Sequence, residues 1–280
     1  MGMKVTLRGG YADSHQISLN DISILSKSIQ TISKNFESKN GKKTYTEIYI
    51  NATKEGCFEI FLDLLNNPYV QGVATAYLYD LSKDIKTFIS HSDKKAYIEK
   101  LINDIYSMSI ELADADYYDY LLEEKKQILE KKEKILNSEL STFNSIKDIS
   151  KLVKESKDEL SNRPDSISFV NEDESSNDFE FNIESRKKMH TISHEHLELD
   201  NITIIGIPTN IARGRNSFFK MKAPFFGTIK IYVKDSDLDF ISDYFKNNEQ
   251  ISVIIKPILK MGELIKTREA KLIEILEEKK

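Results

Sequence analysis

Residues 218–233 read Phe-Phe-Lys-Met-Lys-Ala-Pro-Phe-Phe-Gly-Thr-Ile-Lys-Ile-Tyr-Val, and Lys-Asp-Ser-Asp-Leu-Asp-Phe-Ile follows directly. Phe218–Lys222 and Thr228–Val233 predict two strands, and Asp235–Asn247 predicts a short helix with Leu238, Ile241 and Phe245 on one face. Upstream, Leu197–Ile207 predicts a long strand in which Gly206 allows a bulge and a bend. Downstream, Ile251–Leu259 and about Ala270–Leu276 read as strands, although the last reads equally well as a terminal helix. Three strands, a helix and two more strands, with a bent first strand, is the element order of a small OB-like barrel. An SH3-like barrel, or a sheet layered on a helix, shares much of that order.

The connection into the second of these strands carries the most suggestive chemistry. Residues 212–222 interleave Arg213, Arg215, Lys220 and Lys222 with Phe218 and Phe219. Cations beside aromatic faces are what a protein needs to hold a phosphate backbone while stacking a base. The expected partner is therefore nucleic acid or another protein. The plainer reading is an exposed basic loop, in which Phe218 and Phe219, as strand neighbours, cannot both face inward.

His190, His194 and His196 form a second cluster, in His-Thr-Ile-Ser-His-Glu-His. On a strand all three would share a face and converge on a transition metal, with Glu198 continuing the series. Polar residues at a domain junction account for the same stretch.

The N-terminal half reads as strand, helix and hairpin. Residues 4–8 form a strand that stops at Gly9-Gly10, read as turn chemistry rather than a phosphate cradle. Ser18 is the expected N-cap, with Asp21 as capping-box partner, and Ile22, Leu25, Ile29, Ile32 and Phe36 form one apolar stripe. Glu47–Asn51 and Cys57–Leu64 predict a hairpin. From about residue 67 to 160 the chain reads as helical: one helix from Pro68 to about Ile89, one after His91, and a long one from about Asp116. There Leu122, Leu129, Leu136 and Phe143 recur every seventh residue, the pattern of a coiled-coil-like seam. Such a seam closes either within a helical bundle or between copies of the chain, as a homo-oligomer.

Arg163-Pro164 closes that helix, and Val170–Asp178, acidic and rich in Ser and Asn, reads as a linker or loop. The expectation is therefore an α+β protein with an N-terminal part over 1–160, an acidic linker over 161–186 and a small barrel over 187–280. Charge follows the same division. The formal net charge is -5, yet residues 187–280 carry 16 Lys and Arg against 13 Asp and Glu, and residues 161–186 carry 2 against 7. The mildly basic barrel is where a polyanion would bind.

Composition narrows the class further. With 40% hydrophobic and 30% charged residues the chain buries a real core. Its single cysteine, Cys57, has no partner and reads as a small buried hydrophobe, which fits a reducing compartment. The opening Met-Gly-Met-Lys-Val-Thr-Leu-Arg lacks the apolar core of a signal peptide, and no apolar run approaches a membrane span, so a cytoplasmic location away from membranes is expected. No P-loop, dinucleotide fingerprint, nucleophile elbow, zinc-protease or kinase motif is present, so neither a cofactor nor a known catalytic class is implied. Asp13 beside His15 has the chemistry of an acid–base pair but is equally ordinary in a turn.

Leu7-Arg8-Gly9-Gly10, His15-Gln16-Ile17, Ile29-Gln30 and Gly56-Cys57-Phe58-Glu59-Ile60 are short local patterns that precede the expected terminal small barrel. Across residues 4–64 and 197–260 the chain resembles a loosely defined group of uncharacterised bacterial and phage-encoded proteins, some of them found beside antiviral or mobile-element genes. The resemblance implies a component of phage defence or of a mobile element. It implies no catalytic residue. The expected function is binding or assembly rather than catalysis, with an oligomeric scaffold and an unfamiliar enzyme as the alternatives.

Overall fold

In a computed structural model the described residues are 2–14, 16–40, 46–49, 58–64, 85–90, 92–114, 119–155, 162–171, 179–263 and 268–276. They belong to a mixed α+β chain of two units. One comprises residues 1–94 and 138–194, the other 95–137 and 195–280.

The first unit is built on an antiparallel sheet with the strand order β2-β3-β1-β4-β5. Its strands are β1 (Gly2–Arg8), β2 (Thr46–Tyr49), β3 (Phe58–Leu64), β4 (Ser166–Asn171) and β5 (Phe179–Phe181). β1 is central, pairing Val5 with Ile60 of β3 and with Phe169 of β4. Its Val5 and Leu7 are fully buried. Gly9 and Gly10 end the strand with positive φ angles of 83° and 56°. A Cβ on Gly10 would lie 2.3 Å from the carbonyl oxygens of Asn162 and Arg163, so the turn needs glycine to dock against the entry to β4.

Helix α1 (Leu19–Asn40) follows. The Ser18 hydroxyl accepts the Asp21 N–H at 3.0 Å, as expected of an N-cap. The Asp21 carboxylate accepts the Tyr11 phenol at 2.9 Å, where the sequence predicted a capping-box return. Partial burial, and then this hydrogen bond, push the Tyr11 phenol well above its ordinary pKa. Leu25, Ile29 and Ile32 are buried as the stripe predicted.

The expected acidic linker is largely structure. β4 and β5 pair with each other, and β4 pairs with β1, because Ile167, Phe169, Phe179 and Phe181 supply four buried apolar side chains. The acidic run that disguised them, 172–178, lies outside the described residues. Helix α4 (Ile183–His194) also belongs to this unit rather than to the barrel. The Asn182 side chain starts it by accepting the N–H groups of Glu184 and Ser185, each at 3.0 Å.

Helices α2 (Ser92–Asp114) and α3 (Asp119–Ser150) are each divided between the two units. They pair antiparallel, as the ion pairs Lys94–Glu139 at 3.0 Å, Lys132–Asp104 at 2.5 Å and Lys125–Glu111 at 2.9 Å show. Along the expected seam Leu136 and Phe143 are fully buried within the chain itself, whereas Leu122 and Leu129 are only half-buried. Residues 85–90 are helical; the start expected at Pro68 lies outside the described residues, as does Cys57.

The second unit contains a closed five-stranded barrel in the order β10-β8-β7-β6-β9. The strands are β6 (Ile202–Ala212), β7 (Phe218–Ala223), β8 (Gly227–Tyr232), β9 (Ile251–Ile258) and β10 (Glu269–Leu276). Neighbours run antiparallel except β8 and β10. Helix α5 (Asp235–Asn247) joins β8 to β9 and buries Leu238 and Ile241. Phe245, expected on that face, is 41% exposed because it falls in the helix's last turn. The last element is a strand, and the first starts later than predicted, at Ile202. β6 pairs with β9 as far as Gly206 and with β7 from Ile207 onward. At this switch a Cβ on Gly206 would lie 2.5 Å from the Lys222 carbonyl oxygen. The register shift itself falls between Pro208 and Asn210, next to a residue with no N–H to give the ladder.

Candidate functional site

Alternation along β7 sends Phe219, Met221 and Ala223 inward, where all three are buried. Phe218, Lys220 and Lys222 therefore stand on the outer surface, half-buried or exposed. Strand pairing extends them into rows. Phe218 is opposite Tyr232 on β8, Tyr232 is opposite Lys271 on β10, and Lys271 is opposite Lys256 on β9. In the next row Lys220 is opposite Lys230, which is opposite Glu269. Two rings and five lysines (220, 222, 230, 256 and 271) thus share one outward surface, and Glu269 is the carboxylate in those rows.

The rings and cations within this surface touch. The Lys230 ammonium lies 4.6 Å from the Phe218 ring centroid and 4.4 Å from that of Tyr232. It donates to the Tyr232 hydroxyl at 2.8 Å, which in turn donates to Glu269 at 3.0 Å. The Tyr232 hydroxyl raises the pKa of Lys230 above that of an ordinary lysine.

The β6–β7 loop borders the surface. Ser217 anchors it, since its hydroxyl accepts the Gly214 N–H at 3.1 Å and donates to Asp235 at the start of α5. Arg213 forms an ion pair with Asp239 of α5, and that hydrogen bond raises the guanidinium's pKa further. Arg215 is exposed. Of the six residues predicted for this site, five lie at the surface, and Phe219 is a fully buried core residue. Its neighbour Phe218 is half-buried on the outer face, as strand parity requires.

Lys230, Tyr232, Lys256, Glu269 and Lys271 were missed. The alternation in Thr228-Ile229-Lys230-Ile231-Tyr232 marks two of them as outward, but only the pairing of β8 with β7 and with β10 brings them beside Phe218.

The histidines do not converge as predicted. His190 and His194 lie one turn apart on α4, with ring centroids 4.3 Å apart, and His194 Nδ1 is 2.8 Å from the His190 carbonyl oxygen. The segment is helical because its buried residues Met189, Ile192 and Ser193 follow helical rather than strand spacing. His196 is past the helix end, in the other unit. Among the described residues no group of three or more His, Cys, Asp or Glu is placed to hold a metal ion.

A cleft of about 570 Å³ in the second unit borders this surface at Lys222 and is lined chiefly by Ile205, Gly206, Ile207, Phe225 and Phe226. Among the described residues that line it, Lys222 is the one titratable side chain.

No protein-family model, curated protein or solved structure matches this chain. Fold and site define a mixed α+β protein whose C-terminal half contains a closed barrel with a basic, aromatic outer surface. No helix among the described residues is long and apolar enough to cross a membrane.

Proposed function

We propose that the chain works by binding, that its barrel is of the OB type, and that the outer surface of β7, β8 and β10 holds nucleic acid. The OB reading is supported by the strand order, counted within the barrel: first, second, third, fifth, fourth, closing on the first. The third and fifth strands are parallel, and the helix follows the third. The observation that carries the binding reading is the placement of Phe218 and Tyr232 among Lys220, Lys222, Lys230 and Lys271 on these strands, with Lys256 of β9 opposite Lys271. Lysines neutralise phosphates and release counterions, while ring faces accept bases without regard to sequence.

Fluorescence anisotropy with labelled oligonucleotides at low salt tests this. Micromolar binding that weakens steeply with salt is expected. No binding at tens of micromolar overturns it and shifts the assignment to a protein partner.

We further propose, from the resemblance noted in the sequence, that this binding serves host–phage conflict. Deletion of the gene should then change plaque counts for at least one phage. Assembly is a second reading, favoured by Ile128 and Ile135, one heptad apart on α3 and each 39% exposed. A monomer in light scattering at high micromolar concentration removes it.

A further inference from the structure

The ring surface that the proposed binding needs is already occupied by a cation of the chain itself. Lys230 sits over both Phe218 and Tyr232, which are direct cross-strand partners. It is held there by the Tyr232 hydroxyl, which Glu269 fixes in turn, and the Glu269 carboxylate is itself 3.9 Å from the ammonium. Glu269 is also the residue opposite Lys230 across the parallel pairing of β8 and β10.

We infer that Lys230 is a displaceable internal occupant of the stacking site, that Glu269 holds it in place, and that the exchange selects single-stranded nucleic acid. This rests on the nucleic-acid reading above. An anion alone can draw Lys230 off the rings, but it leaves two apolar faces bare to water. An uncharged planar ring has to evict the cation without giving it a new partner. A single strand carries an unstacked base and a phosphate on one backbone, so the base replaces the ammonium over the rings as the phosphate receives it. A cation–π contact is exchanged for base stacking, and a carboxylate partner for a phosphate. A duplex keeps its base faces in its own stack and gains only the charge. Glu269 opposes the exchange twice, by anchoring the Tyr232–Lys230 pair and by repelling phosphate.

The test compares wild type, Glu269→Gln and Lys230→Ala of the full chain by anisotropy, using a labelled oligo(dT), a duplex of equal length and heparin as competitor. Melting curves first establish that each variant folds, and Lys230→Met replaces Lys230→Ala if the latter does not. Glu269→Gln should tighten oligo(dT) about threefold to tenfold, and tighten the duplex less. Lys230→Ala should lower the salt slope for oligo(dT) by about 0.7, one lost phosphate contact. Its affinity at high salt should nevertheless equal or exceed wild type, because the rings are already open. Binding by Lys230→Ala where wild type is silent supports the exchange most directly. If Lys230→Ala weakens oligo(dT), duplex and heparin alike, Lys230 is an ordinary phosphate contact, and the exchange falls while the nucleic-acid reading stands. If no form of the protein binds any of the three, that reading fails and the exchange goes with it.

Discussion

In the first unit the Arg186 guanidinium reaches the carbonyls of Lys151 and Val153, just past the end of α3, and Arg163 donates to the same Lys151 carbonyl at 2.7 Å. Lys94 is ion-paired to a Glu139 side chain only 4% exposed. In the barrel Lys222, Lys256 and Lys271 are exposed on an outer surface instead. The first set satisfies carbonyls and a buried carboxylate of the chain itself, and so serves stability. The second set sits on strands whose inward residues fill the core, and under the proposed function these cations meet a ligand instead. Composition counts both sets alike. What separates them is which side of an element each cation occupies.

The largest test of this contrast lies within one dipeptide. Phe219→Ala should cost about 3–5 kcal/mol of stability, because it empties a fully buried core site. Phe218→Ala, on the other side of the same strand, should cost only about 1 kcal/mol in a urea titration. It should instead weaken oligo(dT) binding by about 1–3 kcal/mol. Equal stability losses would erase the distinction between inner and outer ring.

Glu139→Ala should lower stability by roughly 3 kcal/mol, since it removes a buried carboxylate that is ion-paired to Lys94. Its effect on nucleic-acid binding should be nil. A change in binding with little change in the urea midpoint would show that the first unit's cations also serve a ligand.

Lys222→Ala with Lys256→Ala should behave in the opposite way. Melting should move little, within about 0.5 kcal/mol, as expected of exposed positions. The salt slope of oligo(dT) binding should fall by about 1.4, two contacts at roughly 0.7 each. An unchanged slope would take both lysines off the binding surface.

The smallest expected effect is a pH dependence in the first unit. The folded Tyr11 phenol holds its proton to a higher pH than the unfolded one. Its contribution is complete below the unfolded pKa of about 10 and is lost as pH rises toward the folded value. Wild type should therefore lose stability relative to Tyr11→Phe as pH climbs above about 10. Parallel curves for the two proteins up to the alkaline limit of the assay would show that the bond to Asp21 is not felt in folding.

Much of the chain was legible from local pattern. The cap at Ser18, the apolar stripe of α1, the glycine turn after β1 and the alternation of the barrel strands all depend on neighbours in sequence, and all are present. Periodicity and capping act over a few residues, so one sequence records them. Two readings went wrong for a common reason: a local average masked its parts. Acidic residues between β4 and β5 gave a linker-like composition to a pair of short, buried strands. Histidines before the barrel suggested a strand, although Asn182 and the buried Met189 and Ile192 place a helix there.

By itself the sequence determined which strand residues can face out, and that Phe218 and Phe219 must separate. Tertiary structure alone decided that Phe218 meets Tyr232, that Lys230 rests over both rings, and that Lys271 and Lys256 extend the same row. Strand register is a long-range choice, made when the barrel closes and its inward residues pack together. The outward residues follow passively, so a site built from four strands is visible only once the core has fixed their alignment.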